Sequence, residues 1–159
     1  MSILILGLGN LLMTDDALGS RCVAELEKRF VFPESVTLLD GGTLGLDLLP
    51  RLEPVDRLLV IDALQMKAEP GTLFRLHGDE VPRAFANKLS VHQMGLQDLL
   101  AVAELQGILP SQLVVLGVQA ESIEMGLEMS SPVEAALPRL LDAVAAELLA
   151  WGVDVSLAA

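Results

Sequence analysis

Cysteine is almost absent. Cys22 is the single one in 159 residues, which excludes an intrachain disulfide. Its place inside an amphipathic helical stretch reads as a small core residue, so a cysteine protease is set aside. Cations are scarce as well. Ten Lys and Arg stand against 22 Asp and Glu, a formal net charge of −12, and nowhere do the cations gather into a patch that could neutralise phosphates. Nucleic acid is excluded as a partner on that ground. Long apolar runs are missing too, although 52% of the residues are hydrophobic and the mean hydropathy is +0.55. Charge, Gly or Pro interrupts each run short of the ~18 residues that a membrane-spanning helix needs. No basic region precedes the apolar residues 2–8, and a Gly/Asn turn follows where a cleavage site would stand, so this segment is not read as a signal peptide. The expected location is cytoplasmic, with no membrane partner.

What is present fits one domain over residues 1–159, a size at which a single core can stand alone. Ile3-Leu4-Ile5-Leu6 is a short apolar run ended by Gly7-Leu8-Gly9-Asn10, a buried strand entering a tight turn. Residues 17–30 then carry Leu18, Cys22, Val23, Leu26 and Phe30 at helical spacing. The alternation recurs, with strands expected over 36–39, 57–61, 71–75 and 112–118, and helices over 45–52, 91–105 and 133–151. Strands rich in Val, Ile and Leu, without polar alternation and separated by helices, predict an α/β fold. The expected architecture is a three-layer sandwich: a twisted, mainly parallel sheet of about five strands with helices on both faces.

In such sheets ligands bind beyond the carboxyl ends of the strands, where loops and helix N-termini converge. The segments at that rim are residues 9–19, Asp40-Gly41-Gly42-Thr43, Asp62-Ala63-Leu64 and Ser90-Val91-His92-Gln93. Asp16, Asp62 and His92 place two carboxylates and an imidazole on one rim. That donor set suits a borderline divalent ion such as nickel or zinc and does not choose between them. The competing role is structural, because Asp15, Asp16 or Ser90 could cap a helix N-terminus. Asp62 is harder to read that way, since it ends a hydrophobic strand. His77, beside a Gly-Asp turn, is expected on the surface or on an edge strand.

Other functions fit the same residues less well. Gly7-Leu8-Gly9 imitates the opening of a dinucleotide-binding fingerprint, with Asp40 where a ribose-binding acid would sit. The imitation fails at Leu12, where the third glycine belongs, and at Asp15 and Asp16, which would repel a pyrophosphate. A serine hydrolase could draw on Ser90 and His92, yet no Gly-x-Ser-x-Gly elbow occurs. A non-proteolytic nickel-binding or chaperone module would use the same three ligands as an enzyme, and only an assay for peptide-bond cleavage separates the two.

Taken in order, Ile5-Leu6-Gly7-Leu8-Gly9-Asn10, Asp15-Asp16-Ala17-Leu18-Gly19, Asp40-Gly41-Gly42-Thr43, Val60-Ile61-Asp62-Ala63 and Ser90-Val91-His92-Gln93 form a pattern that resembles the hydrogenase maturation proteases. The likeness runs from Ile3 to about Val118. It implies a twisted sheet between helices and an endopeptidase that removes a C-terminal extension from a nickel-loaded nickel-iron hydrogenase large-subunit precursor. It also implies that Asp16, Asp62 and His92 are metal ligands, the first being glutamate or aspartate in the family. Asp40, Gly41, Gly42 and Thr43 correspond to the substrate cleft. Nickel would be supplied by the precursor. Two mechanisms remain open at this level: the metal polarises the scissile carbonyl or activates water, or it serves recognition while Asp16 or Asp62 acts as general base. The absence of a His-Glu-x-x-His helix favours recognition.

Overall fold

Ile3, Leu4, Ile5 and Leu6 leave no polar side to face water, and the strand they begin, β1 (Ile3–Leu8), is buried at every position. The computed structural model describes residues 1–81 and 91–158, with the backbone alone for residues 91–95. A short ribbon strand, β2 (Phe30–Val31), leads to β3 (Val36–Gly42), which lies parallel to β1 on one side. On its other side β1 pairs in parallel with β4 (Arg57–Leu64). Beyond β4 the last parallel strand is β6 (Gln112–Gln119), and outside it β5 (Leu73–His77) runs antiparallel. The order β3-β1-β4-β6-β5 is therefore a mixed, mostly parallel sheet, as uninterrupted apolar runs predict.

Alternate residues of each strand enter opposite cores, because side chains in a strand alternate faces. Ile3, Ile5, Leu59, Ile61, Val114 and Leu116 meet Leu18, Cys22 and Leu26 of α1 (Leu18–Arg29) and Leu140 and Val144 of the C-terminal helix over Ser131–Ala150. On the other face Leu4, Leu6, Leu58, Val60, Leu113 and Val115 meet Leu52 of α2 (Leu49–Leu52) and Leu96, Leu99 and Ala103 of α3 (Val91–Leu105). The C-terminal helix is α4. Each wholly buried Leu or Ile contributes about 1.5–3 kcal/mol, so these two layers dominate the stability. Cys22 is buried in the first core, where burial and then the nearby Glu25 push its thiol up to about 12. The reactive thiolate is therefore suppressed, in keeping with a core role.

The observed elements depart from expectation mainly at the carboxyl ends of the strands. β3 extends to Gly42, not Leu39, because Gly7 pairs with Asp40 and Leu8 with Gly42 across a bulge. β4 continues through Asp62 to Leu64 because β6 pairs with it residue by residue up to Gln119. Asp62 is thus a strand residue and not part of a loop. The helix expected over 45–52 divides into a 3-10 turn over Gly45–Leu48 and the single α turn of α2, which has Pro50, with no amide hydrogen, in its first turn. β2 pairs with β7 (Ser156–Leu157) in a separate antiparallel ribbon, and two residues per strand leave no periodicity for a sequence to display.

Three glycines make the approach of α1 to the sheet possible. A methyl group on Gly7 would lie 2.3 Å from the Gly19 carbonyl oxygen, and one on Gly19 would lie 2.1 Å from the Leu8 oxygen and 2.6 Å from the Ile61 oxygen. One on Gly9, whose φ is 148°, would lie 1.9 Å from the Asp16 oxygen. All of these neighbours are backbone and cannot swing aside. Gly19→Ala is accordingly expected to cost about 3 kcal/mol through forced separation of helix and strand. In a chain of this length that is a fall of roughly 6–12 °C in melting temperature, readable by calorimetry. An unchanged melt would show that α1 does not sit this close.

Candidate active site at the sheet switch point

From β1 the chain moves to β3 on one side, then crosses to β4 on the other, so successive connections diverge between β1 and β4. Such a switch point opens a crevice at the carboxyl ends of the strands. Asp16 and Asp62 flank it. Asp16 lies in the 3-10 turn Thr14–Ala17 that joins β1 to α1, and this turn packs directly against β4. Asp62 lies within β4 on the side shared with Leu58, Val60 and Leu64, the side covered by α2 and α3. Asp62 is wholly buried and Asp16 is 8% exposed. The carboxylates therefore sit beneath the rim, not on an open surface. His92 is the second residue of α3, at the end of the helix that opens over the Asp62 face; its side chain, like Ser90 as a whole, lies outside the described residues. Among the described residues no three of His, Cys, Asp and Glu gather to hold a metal ion.

Neither Asp15 nor Asp16 caps a helix. The N-cap positions of the 3-10 turn and of α1 are Met13 and Ala17, without side-chain capping bonds. The loop before them is not a phosphate cradle either, because its amides are already engaged. Gly9 N donates to Gly42 O (3.0 Å), Met13 N to Asn10 O (3.1 Å), Thr14 N to Gly126 O (3.0 Å), Asp15 N to Ser122 O (3.1 Å) and Asp16 N to Met13 O (3.1 Å). Asn10 N donates to Asp16 Oδ2 (3.2 Å) and Leu12 N to Asn10 Oδ1 (2.9 Å). Too few donors remain to bind a pyrophosphate, so the Gly-x-Gly pair serves packing. Asp40 has a local role too: its Oδ1 accepts from the Ser20 hydroxyl (2.7 Å) and from Gly42 N (3.1 Å), fixing the end of β3, where Gly41 is buried, Gly42 half-buried and Thr43 exposed. His77 ends antiparallel β5, pairs with Val114 and is exposed on the opposite rim, as its surface reading predicts.

Asp15 is the site residue that the sequence left undistinguished from its neighbour. Its carboxylate has no exposure, and it accepts from Glu121 N (2.8 Å), Ser122 N (3.0 Å), Ser130 N (2.6 Å) and Ser130 Oγ (2.8 Å). It binds the segment between β6 and α4 to the turn that carries Asp16. Thr14 helps from a left-handed conformation (φ 49°), its hydroxyl directed to Ser122 O (2.8 Å) and Glu124 O (2.9 Å). Asp15→Ala strands four part-buried donors, and the expected loss is about 3 kcal/mol. Hydrogen exchange at the Glu121 and Ser122 amides should accelerate in the same variant. Wild-type protection there would mean that other acceptors hold the segment.

A family model described as hydrogenase maturation protease matches residues 20–147. The chain belongs to the hydrogenase maturation protease family. It is 43% identical over 155 residues to the Hydrogenase 2 maturation protease of Escherichia coli K12, covering 97% of this chain and 94% of that protein. It is 46% identical over 151 residues to the hydrogenase expression/formation protein HoxM of Azotobacter vinelandii, covering 94% and 72%. The solved hydrogenase maturating endopeptidase HybD of E. coli superposes with a TM-score of 0.94 at 42% identity, over 99% of this chain and 98% of that one. The α/β fold and the family read from the spaced motifs are both borne out, and the chain is a peptidase. A non-proteolytic module of the same fold is not favoured. No helix among the described residues is long and apolar enough to cross a membrane.

Proposed function

We propose that this peptidase removes the C-terminal extension of a nickel-iron hydrogenase large-subunit precursor after nickel has been inserted. The observation that carries this reading is the pair of buried carboxylates, Asp16 and Asp62, brought from separate elements to the two sides of the switch point. Burying a carboxylate is costly; Asp15 is accounted for by its structural hydrogen bonds to Glu121, Ser122 and Ser130, whereas Asp16 and Asp62 stand where ligands of such sheets bind. Asp16 and Asp62, with His92 from the start of α3, would add oxygen and nitrogen donors to a nickel ion that the precursor presents. The metal then belongs to the substrate. One of the two carboxylates serves as general base toward the water that attacks the scissile carbonyl. The end of β3 and Thr43 after it provide the cleft wall; Asp40 and Thr43 are exposed there, and the half-buried Gly42 would allow an extended chain to approach the backbone. The catalytic and ligand assignments rest on chemistry and family likeness together. Incubating the protein with nickel-loaded precursor and weighing both products tests the reading: a shortened large subunit and a released C-terminal peptide support it, and an intact precursor removes it.

A further inference from the structure

Half of the exposed large hydrophobic side chains among the described residues stand on one rim. Leu11 and Leu12 follow β1, Leu44 and Leu46 follow β3, and Met125 and Leu127 follow β6, six of twelve. Four of them form one surface. Gly126 N donates to Leu12 O (2.8 Å) and Thr14 N to Gly126 O (3.0 Å), so residues 12–14 and Gly126 make a short parallel ladder flanked by Leu11, Leu12, Met125 and Leu127. These side chains are between 52% and 86% exposed, although their backbones are pinned by the ladder and by Asp15 beneath it. An apolar surface held this firmly loses little entropy when a partner covers it. Beside Leu127 the surface continues into a groove of about 580 Å³ between α1 and the start of α4.

The lip itself carries charge of one sign, and Arg21, which lines the adjoining groove, is paired with Glu134 at 3.0 Å. Residues 2–20 and 112–138 contain no Lys or Arg, while Glu121, Glu124 and Glu128 are exposed within the lip itself. A second copy of this acidic chain would meet like charge there, which opposes self-association through this face. From this we infer that the lip is a docking surface for the hydrogenase precursor, taking an apolar patch of that protein bordered by Lys or Arg. The inference rests on the function proposed above. It adds a binding surface beside the switch point, with Met13 of the ladder separated from Asp16 only by Thr14 and Asp15 of the same 3-10 turn.

The test compares wild type with the triple variant Leu12→Ser, Met125→Ser, Leu127→Ser, using purified nickel-loaded precursor, and reads Kd by titration calorimetry together with KM and kcat. The expected result is a rise of about tenfold or more in both Kd and KM, with kcat and melting temperature unchanged. Glu124→Lys should weaken binding at low salt and flatten its salt dependence, because exposed charge pairs are screened. Unchanged Kd and KM in the triple variant would overturn the inference. So would a wild-type dimer in sedimentation that the triple variant converts to monomer, since the occupant would then be a second copy. Precursor that binds to wild type but is not cut would sink the proposed activity alone, leaving the Kd comparison to decide the docking surface. Precursor that neither binds nor is cut would remove both. Should the triple variant melt lower, Leu12→Ser and Met125→Ser alone supply the comparison.

Discussion

Asp62→Asn is expected to lower precursor cleavage by about 100-fold or more while the melting temperature stays within a few degrees of wild type. Asparagine fills the same volume in β4, so neither a cavity nor a strand defect is introduced. What disappears is the negative charge. Asp62 is wholly buried between apolar neighbours of the same strand, Ile61 and Ala63. A carboxylate at this strand position carries a desolvation cost that an apolar residue would not, and its place beside the crevice is the reason to test whether its charge serves cleavage. Asp16→Asn offers a parallel reading. The remaining Oδ1 can still accept from Asn10 N, now at 3.2 Å from Asp16 Oδ2, so the turn should persist while the ligand charge is lost. A melting temperature lowered by about 10 °C with full cleavage would place Asp62 among structural residues instead.

The sheet was legible from Ile3-Leu4-Ile5-Leu6, from residues 57–61 and from 112–118 because strands buried on both faces must be apolar at every position. That rule also limits what could be read. Asp40 and Asp62 look like the first residues of loops, since polarity ends an apolar run, yet ladder pairing with Gly7 and with Gly117 keeps both in their strands. Burial of a carboxylate at a strand end is decided by the neighbouring strand and covering helix, and those contacts are not local in sequence. Asp15 shows the same limit more sharply. Side by side, Asp15 and Asp16 carry identical chemistry, and the difference between them lies more than a hundred residues away, at Glu121, Ser122 and Ser130. The antiparallel direction of β5 was equally hidden, since an apolar run does not state its direction.

Chelator-treated protease is expected to cut nickel-loaded precursor at the untreated rate, while nickel-free precursor stays whole even with the protease in excess. The expectation follows from what the chain can offer a metal. Asp16 and Asp62 are hard oxygen donors, and His92 would be the only imidazole among the assigned ligands; nickel prefers imidazole and thiolate to carboxylate. Cys22 cannot supply the thiolate, being buried in the opposite core with its thiol pushed up to about 12. A site of this kind holds a free ion weakly, but it can complete the coordination of an ion already bound to thiolates on another protein. Partner affinity then depends on the metal, and cleavage reports that insertion has finished. The difference between the two precursors should be about 100-fold or larger, since loss of even two donor contacts is worth roughly 3 kcal/mol and each 1.4 kcal/mol is tenfold. Mass spectrometry of the large subunit after fixed times gives the measurement. Equal cutting of both precursors would end the recognition mechanism. Loss of cutting on stripping the protease alone, restored by added zinc or nickel, would instead show that the metal resides in the protease and that its role is catalytic.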